Sequence, residues 1–191
     1  ITVLGDEIIY CSEAANSTFS GNVLTGSGRG IYANNASGST VSNNSVETDN
    51  GTAAIHMEHC DDCTFDSNTI TNRPYRGIWA QYADSTSITN NTMDVQYTGI
   101  EAQEGSSLTI ENNTVTNFEE YGIHFQSSEN SIVNYNRLTC ANGGGWKRGI
   151  NNTESNQNAV VNYNYVDISD QSGGNNYNQY GIEVHDSEVI G

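Results

Sequence analysis

Lysine occurs once in these 191 residues, as Lys147, and five arginines are the only other basic side chains. Against them stand 23 aspartates and glutamates, for a formal charge of -17. A field of that sign repels phosphate backbones and anionic headgroups, which excludes nucleic acid and membrane surfaces as partners. It suits a solvated surface in salty or calcium-rich surroundings. Long apolar runs are missing too. Nothing approaches the roughly 18–20 residues that span a bilayer, so no membrane insertion is expected. The opening ITVLGDEIIYC carries neither an initiating methionine nor a signal sequence, and it reads as a processed product or an excised segment.

What the chain has in quantity is Asn, Ser, Thr and Gly, and these recur in phase. The Asn that follows each T-V-S-N-like phrase falls at Asn22, Asn44, Asn68, Asn91, Asn113, Asn136 and Asn164, in steps of 22, 24, 23, 22, 23 and 28. The Ile of the G-I pairs and its equivalents, Ile9 after Ile8 and Ile55 after Ala54, keep nearly the same steps: Ile9, Ile31, Ile55, Ile78, Ile100, Ile123, Ile150 and Ile182. Two markers that drift together are turns of one object. Each turn holds three short runs of period-two alternation, which is the pattern of strands with one buried face. One run carries the Ile, the second the Phe19/Val41/Phe65 column, and the third the Leu24/Val46/Ile70 column. Stacked, they predict an all-β, right-handed parallel β-helix of about eight coils, with neighbouring coils roughly 4.8 Å apart. The recurrent Asn then forms a ladder of side-chain amides that satisfies the backbone at a tight bend.

This pattern resembles the pectate-lyase-like β-helix superfamily and the parallel β-helix repeats of surface proteins. The resemblance spans the whole chain and implies the fold more than the function, because the superfamily holds lyases, epimerases, hydrolases, phage tailspikes and plain structural solenoids. In its lyases, catalytic Arg or Lys residues and clustered acidic calcium ligands recur on the Gly-Ile sheet. No such motif can be matched here. No cofactor is expected, with calcium the one candidate ion.

Insertions fall on one side of the solenoid, in TCANGGGWKRG and DISDQSGGNNYNQYG, beside the Gly-Ile sheet. The sheet's outward column reads Tyr32, His56, Trp79, Glu101, His124, Asn151, Glu183, and the next reads Asn34, Glu58, Gln81, Gln103, Gln126, Thr153, His185. The Gly before each Ile is expected to leave a bare strip alongside. Rings and polar groups along a groove suit a polysaccharide; the expected contacts are Tyr32, Trp79, Glu101, His124, Trp146 and Glu183, with Lys147, Arg148, Tyr121 and Tyr180 as walls. A uronate lyase or epimerase needs a cation for the carboxylate and a base near the α-proton. Arg148, His124 and Tyr121 would be that cation, base and acid. A hydrolase would need a second carboxylate across the bond from Glu101, and Glu183 lies three coils off, roughly 14 Å.

HMEHCDDC gathers His56, His59, Cys60 and Cys63 at metal-like spacing, but His56 and Cys63 belong to different strands facing opposite ways, so no metal site is expected. A Cys60–Cys63 bridge closing the turn is expected instead. Cys11 sits inward in the first coil and Cys140 in a loop roughly 25 Å away, too far to pair. Sequons at Asn16, Asn35, Asn43, Asn50, Asn90, Asn112 and Asn151 permit N-glycosylation, which points to an extracellular or cell-surface setting. Residues 1–191 read as one domain that enters and leaves at nearly the same point of a coil, with no cap at either end. Open ends recruit strands. The expected function is therefore a structural solenoid, either a filament subunit stacking end to end with copies of itself or a stalk or adhesin segment of a larger surface protein. The alternative is a polysaccharide lyase, epimerase or glycan-binding module.

Overall fold

In the computed structural model, residues 2–3, 7–49, 52–140, 146–154, 158–168, 179–184 and 189–190 are described. They form three eight-stranded parallel sheets, each taking one strand from every coil. The Gly-Ile sheet runs from Glu7–Ser12 through Arg29–Asn34, Arg76–Gln81 and Tyr121–Gln126 to Gln179–Val184. A pre-ladder sheet starts at Thr18–Ser20, and a post-ladder sheet includes Val23–Gly26 and Thr114–Phe118. The registers pair Ile78 with Ile100 and Ile100 with Ile123, Phe65 with Ile88, and Ile70 with Met93, as the sequence columns require.

These columns are the core. Ile31, Ile55, Ile78, Ile100, Ile123 and Ile150 are fully buried, as are Val41, Phe65, Ile88 and Ile110. Each contributes about 1.5–3 kcal/mol of apolar burial. Two of the connections in a coil run through residues in the left-handed region, for example Glu104 and Ser107 near φ 54° and 58° between the Gly-Ile and pre-ladder strands, and Asn112 near 56° before the ladder. Short polar side chains tolerate that region best, because they bond locally to their own backbone.

The Asn ladder forms without a break among the described residues. Asn91 donates Nδ2–H to Asn113 Oδ1 at 3.0 Å and to the Phe65 carbonyl at 3.0 Å, while its backbone N–H also meets Asn113 Oδ1 at 3.0 Å. The same pattern runs from Asn22 and Asn44 to Asn136 and Asn164. From Asn44 to Asn164 each amide thus uses both of its protons and both lone pairs inside the wall of the solenoid, where an unmade bond would cost about 1–3 kcal/mol.

The expected bare strip beside the Gly-Ile sheet is not there. A Cβ at Gly99 would point inward, 2.4 Å from the Gly122 carbonyl and 2.4 Å from Val115 Cγ1; one at Gly77 would meet Met93 Sδ at 2.6 Å. Glycine is required because the strand bends across the end of the post-ladder sheet, and the coil above fills the space that a side chain would take.

Candidate functional site

Registers place Tyr10, Tyr32, His56, Trp79, Glu101, His124, Asn151 and Glu183 in one outward column of the Gly-Ile sheet. A second column runs from Asn34 through Glu58, Gln81, Gln103 and Gln126 to Thr153. His185, its expected continuation, lies outside the described residues. A third column, two residues before each Ile, holds Arg29, Arg76, Tyr121 and Arg148. The recurrence of Arg at that register was visible in the sequence, and it is the signal by which Arg29 and Arg76 could have been found.

Coils two to four carry an aromatic stack. Tyr32 and His56 lie 4.9 Å apart at 18°, and His56 and Trp79 4.1 Å apart at 5°. Arg29 sits over Tyr32 at 4.7 Å and Arg76 over Trp79 at 4.8 Å. The ring planes therefore cross the solenoid axis, and their faces are taken by each other and by guanidinium groups. A sugar needs a free ring face, so Tyr32 and Trp79 are poorly turned for the stacking expected of them. His56 is only 3 % exposed; neither of its ring nitrogens, nor Trp79 Nε1, has a hydrogen-bond partner. Burial first and Arg29 next hold its pKa down to about 4 against an upward pull from Glu58, with a lesser downward push from Arg76.

Coils four to eight carry the charges. Arg76 is ion-paired to Glu101 and Arg148 to Glu183. Glu101 also accepts from Gln103 Nε2 at 2.6 Å. Tyr121 stacks on His124 at 4.6 Å, and Arg148 lies 5.4 Å from the Tyr121 ring and 5.6 Å from that of Trp146. The structure thus brings together the three residues weighed as cation, base and acid. Their chemistry is muted, however. Burial pushes the His124 imidazole below its ordinary range against the pull of Glu101 and Glu120; its Nε2 lies 3.0 Å from Thr153 Oγ1. Burial and Glu120 push the Tyr121 phenol up to about 12. Glu120 likewise raises Tyr97, which stacks on Tyr75 at 4.6 Å to form a side wall.

Trp146 is half exposed at the rim, but Lys147, expected in the wall, is buried: its strand, Lys147–Thr153, turns that side chain inward. The inserted loops themselves, at 141–145 and 169–178, lie outside the described residues. Past the second column, Asp84, Glu104, Glu129 and Glu154 rim a shallow hollow of about 580 Å³. Asp84 there already accepts from the Ser106 backbone and hydroxyl. Among the described residues, no group of three or more His, Cys, Asp and Glu is placed to hold a metal ion. No helix among them is long and apolar enough to cross a membrane.

Cys60 and Cys63 are free thiols rather than the expected bridge. Both point inward at the corner, beside each other; Cys60 Sγ accepts from the Ala36 amide at 3.3 Å, and Cys63 Sγ donates to the Ala36 carbonyl at 3.4 Å. His59 lies apart from them, stacked on Tyr82 at 4.6 Å. Cys140, expected in a loop, closes the strand Arg137–Cys140 opposite Phe118. The sequon asparagines at 16, 35, 43, 90 and 112 are exposed corner residues with φ between 52° and 58°. In Asn43-Asn44-Ser45, Asn90-Asn91-Thr92 and Asn112-Asn113-Thr114, a corner residue, a ladder residue and a strand residue stand in sequence. Three structural demands thereby spell a sequon. Asn151 is 3 % exposed, so its side chain is closed to both sugar contact and glycosylation; Asn50 lies outside the described residues.

The family model of a right handed beta helix region matches residues 48–189. Among solved structures, trypsin-treated QnrB1, a plasmid-mediated fluoroquinolone resistance protein, is similar at 11% identity and a TM-score of 0.20, over 95% of this chain and 92% of that one. So distant a likeness carries no argument. No curated protein matches the chain.

Proposed function

We propose, for a chain that belongs to the right-handed β-helix family, a structural role: an extracellular or cell-surface solenoid, serving as a filament subunit or as a segment of a stalk. The observation that supports this most is the ion pair of Arg148 with Glu183. Arg148 is the group best placed to neutralise a uronate, and its guanidinium is already held by a carboxylate and flanked by two rings. Elsewhere on the outward face rings lie on rings and Arg76 on Glu101, while His56 Nδ1 and Nε2 and Trp79 Nε1 stay without hydrogen-bond partners. A face whose groups are spent on each other stiffens the rod and leaves little for a substrate.

A second reading rests on the meeting of Tyr121, His124 and Arg148 at one spot beneath the exposed Trp146: a glycan-handling site that opens when substrate displaces Glu183. One experiment separates the two. The native chain and Arg148→Ala are assayed against a panel of uronate polysaccharides by formation of unsaturated ends and by affinity electrophoresis, beside negative-stain electron microscopy of both. No turnover or retardation for either protein, with rods or fibres in the images, supports the structural role. Turnover that Arg148→Ala abolishes overturns it.

A further inference from the structure

Repetition gives this protein an internal control, since each outward column shows what the fold asks for at that place. At the corner after the pre-ladder sheet, the left-handed residue is Gly21, Asn43, Ser67, Asn90 and Asn112 in five coils, and then Tyr135 and Tyr163. The strain of this region, about 1 kcal/mol for a residue with a Cβ, is least for the residues of the first five coils. Tyrosine is a poor choice there. Two neighbouring columns change in the same two coils. The hydroxyl residues from Thr18 to Thr109 give way to Ile132 and Val160. Those from Ser45 to Thr114 give way to Arg137 and Tyr165.

The result is an apolar, aromatic corner where the coils from Thr40 and Ser45 to Thr109 and Thr114 present hydroxyls. Tyr135 is 54% exposed, Tyr163 76% and Tyr165 50%. The first two rings stack at 5.1 Å and 8°, and Arg137 lies 4.4 Å from the Tyr165 ring. Stacking returns about 0.5–1.5 kcal/mol, which offsets the backbone strain but leaves Ile132, Val160 and Arg137 without an account. Arg29, Arg73, Arg76 and Arg148 each hold a carboxylate. Arg137 is the one described arginine for which no such pair is seen, in a chain of charge -17.

We propose that this corner is where two copies of the chain associate side by side, the tyrosines packing together and Arg137 of each reaching a carboxylate of the other. Tyr and Arg are the residues that dominate such contacts. The mutual stacking of Tyr135 and Tyr163 covers one face of each of these two rings. Charge complementarity identifies the occupant, because a second copy offers carboxylates on nearly every coil. The same charge makes the association salt-dependent in an unusual direction. Added salt screens the repulsion between two acidic rods, the screening length falling from about 10 Å at 0.1 M to about 3 Å at 1 M, while the apolar contact persists. This contact is lateral and does not depend on the structural role proposed above.

The test is sedimentation velocity of the whole chain from low to molar salt, beside Tyr135→Asn/Tyr163→Asn and Arg137→Thr. Each replacement is a residue that the same column already uses, so the fold is kept, which circular dichroism checks. The expected result is a dimer that grows with salt and weakens about tenfold or more in the double variant, the loss expected when hot-spot residues are removed. A monomer at every salt concentration overturns the proposal, as does a dimer indifferent to both variants. Retention of the native chain but not the double variant on a polysaccharide column, with both monomeric, would overturn it in favour of a glycan.

Discussion

The imidazole of His56 lies 4.1 Å from the indole of Trp79 and nearly parallel to it, between the guanidinium groups of Arg29 and Arg76. Tyr32 closes the other face, and Glu58, bonded to the Tyr32 hydroxyl at 2.7 Å, is the carboxylate of this neighbourhood. A ring so placed is held neutral, and pH is the lever on it.

The folded pKa of His56 is about 4 against an ordinary value of 6.5. Below 6.5 the unfolded chain binds the proton and the folded one does not, so this contribution to stability is full above 6.5, falls as pH drops and levels off below about 4. It amounts to something on the order of 3 kcal/mol. His56→Phe should flatten the fall in denaturation midpoint between pH 6.5 and 4 while changing little at pH 8. An equally steep fall in the variant would assign the acid sensitivity to the carboxylates.

Asn112 and Asn113 are adjacent in sequence and opposite in consequence. Asn113 is buried in the ladder, and truncating it strips partners from Asn91, Asn136 and the Ile88 carbonyl. Asn113→Ala should cost about 2–4 kcal/mol. Asn112 is an exposed corner residue, where Ala costs about 1 kcal/mol for its left-handed backbone. Chemical denaturation of both variants checks the ranking, and equal losses would mean that the ladder is not what holds this wall.

Gly99→Ala forces a methyl group against a backbone carbonyl at 2.4 Å. It should destabilise by about 1–3 kcal/mol, as overpacking does. At Gly181 nothing lies within 4 Å and the backbone is ordinary, so Gly181→Ala should stay within about 0.5 kcal/mol of the parent. Thermal melts of the pair measure how much the inward bend of the Gly-Ile strand demands of its glycines.

Cys63 and the backbone amide of Ala36 draw the Cys60 thiol down to about 7 against the upward push of burial, while Cys63 is pushed up. Thiolate character alone would make Cys60 reactive at pH 8. Both side chains are nonetheless 1% exposed or less. Titration with a bulky disulfide reagent should leave Cys60 and Cys63 unlabelled in the native protein and label both in denaturant. Rapid native labelling would show that this corner opens.

Much of the architecture was legible because a solenoid writes itself linearly. Once Asn22 to Asn164 and Ile9 to Ile182 share a period, stacking puts Ile78 beside Ile100 and Asn91 beside Asn113 with no further information. The alternation about Phe65 or Ile110 tells which side is buried. The sequons became explicable only when Asn43, Asn90 and Asn112 were seen at left-handed corners next to ladder residues.

The site was less legible, since membership of an outward column does not say what a side chain does there. Trp79 and Tyr32 were expected to offer ring faces, and they spend them on His56. Arg148 was expected to be available, and Glu183 holds it. The strip of glycines was expected to lie bare, and it marks where the chain bends inward.

The coil, its three strands, its core columns and its amide ladder follow from the period, because each depends on a residue's place in it. Which outward rings stack, which charges pair, and that Lys147 and Asn151 are buried emerge only in the folded chain. Those outcomes depend on side-chain reach between coils roughly 5 Å apart, where a neighbour one coil away competes with solvent for every ring face, carboxylate and guanidinium.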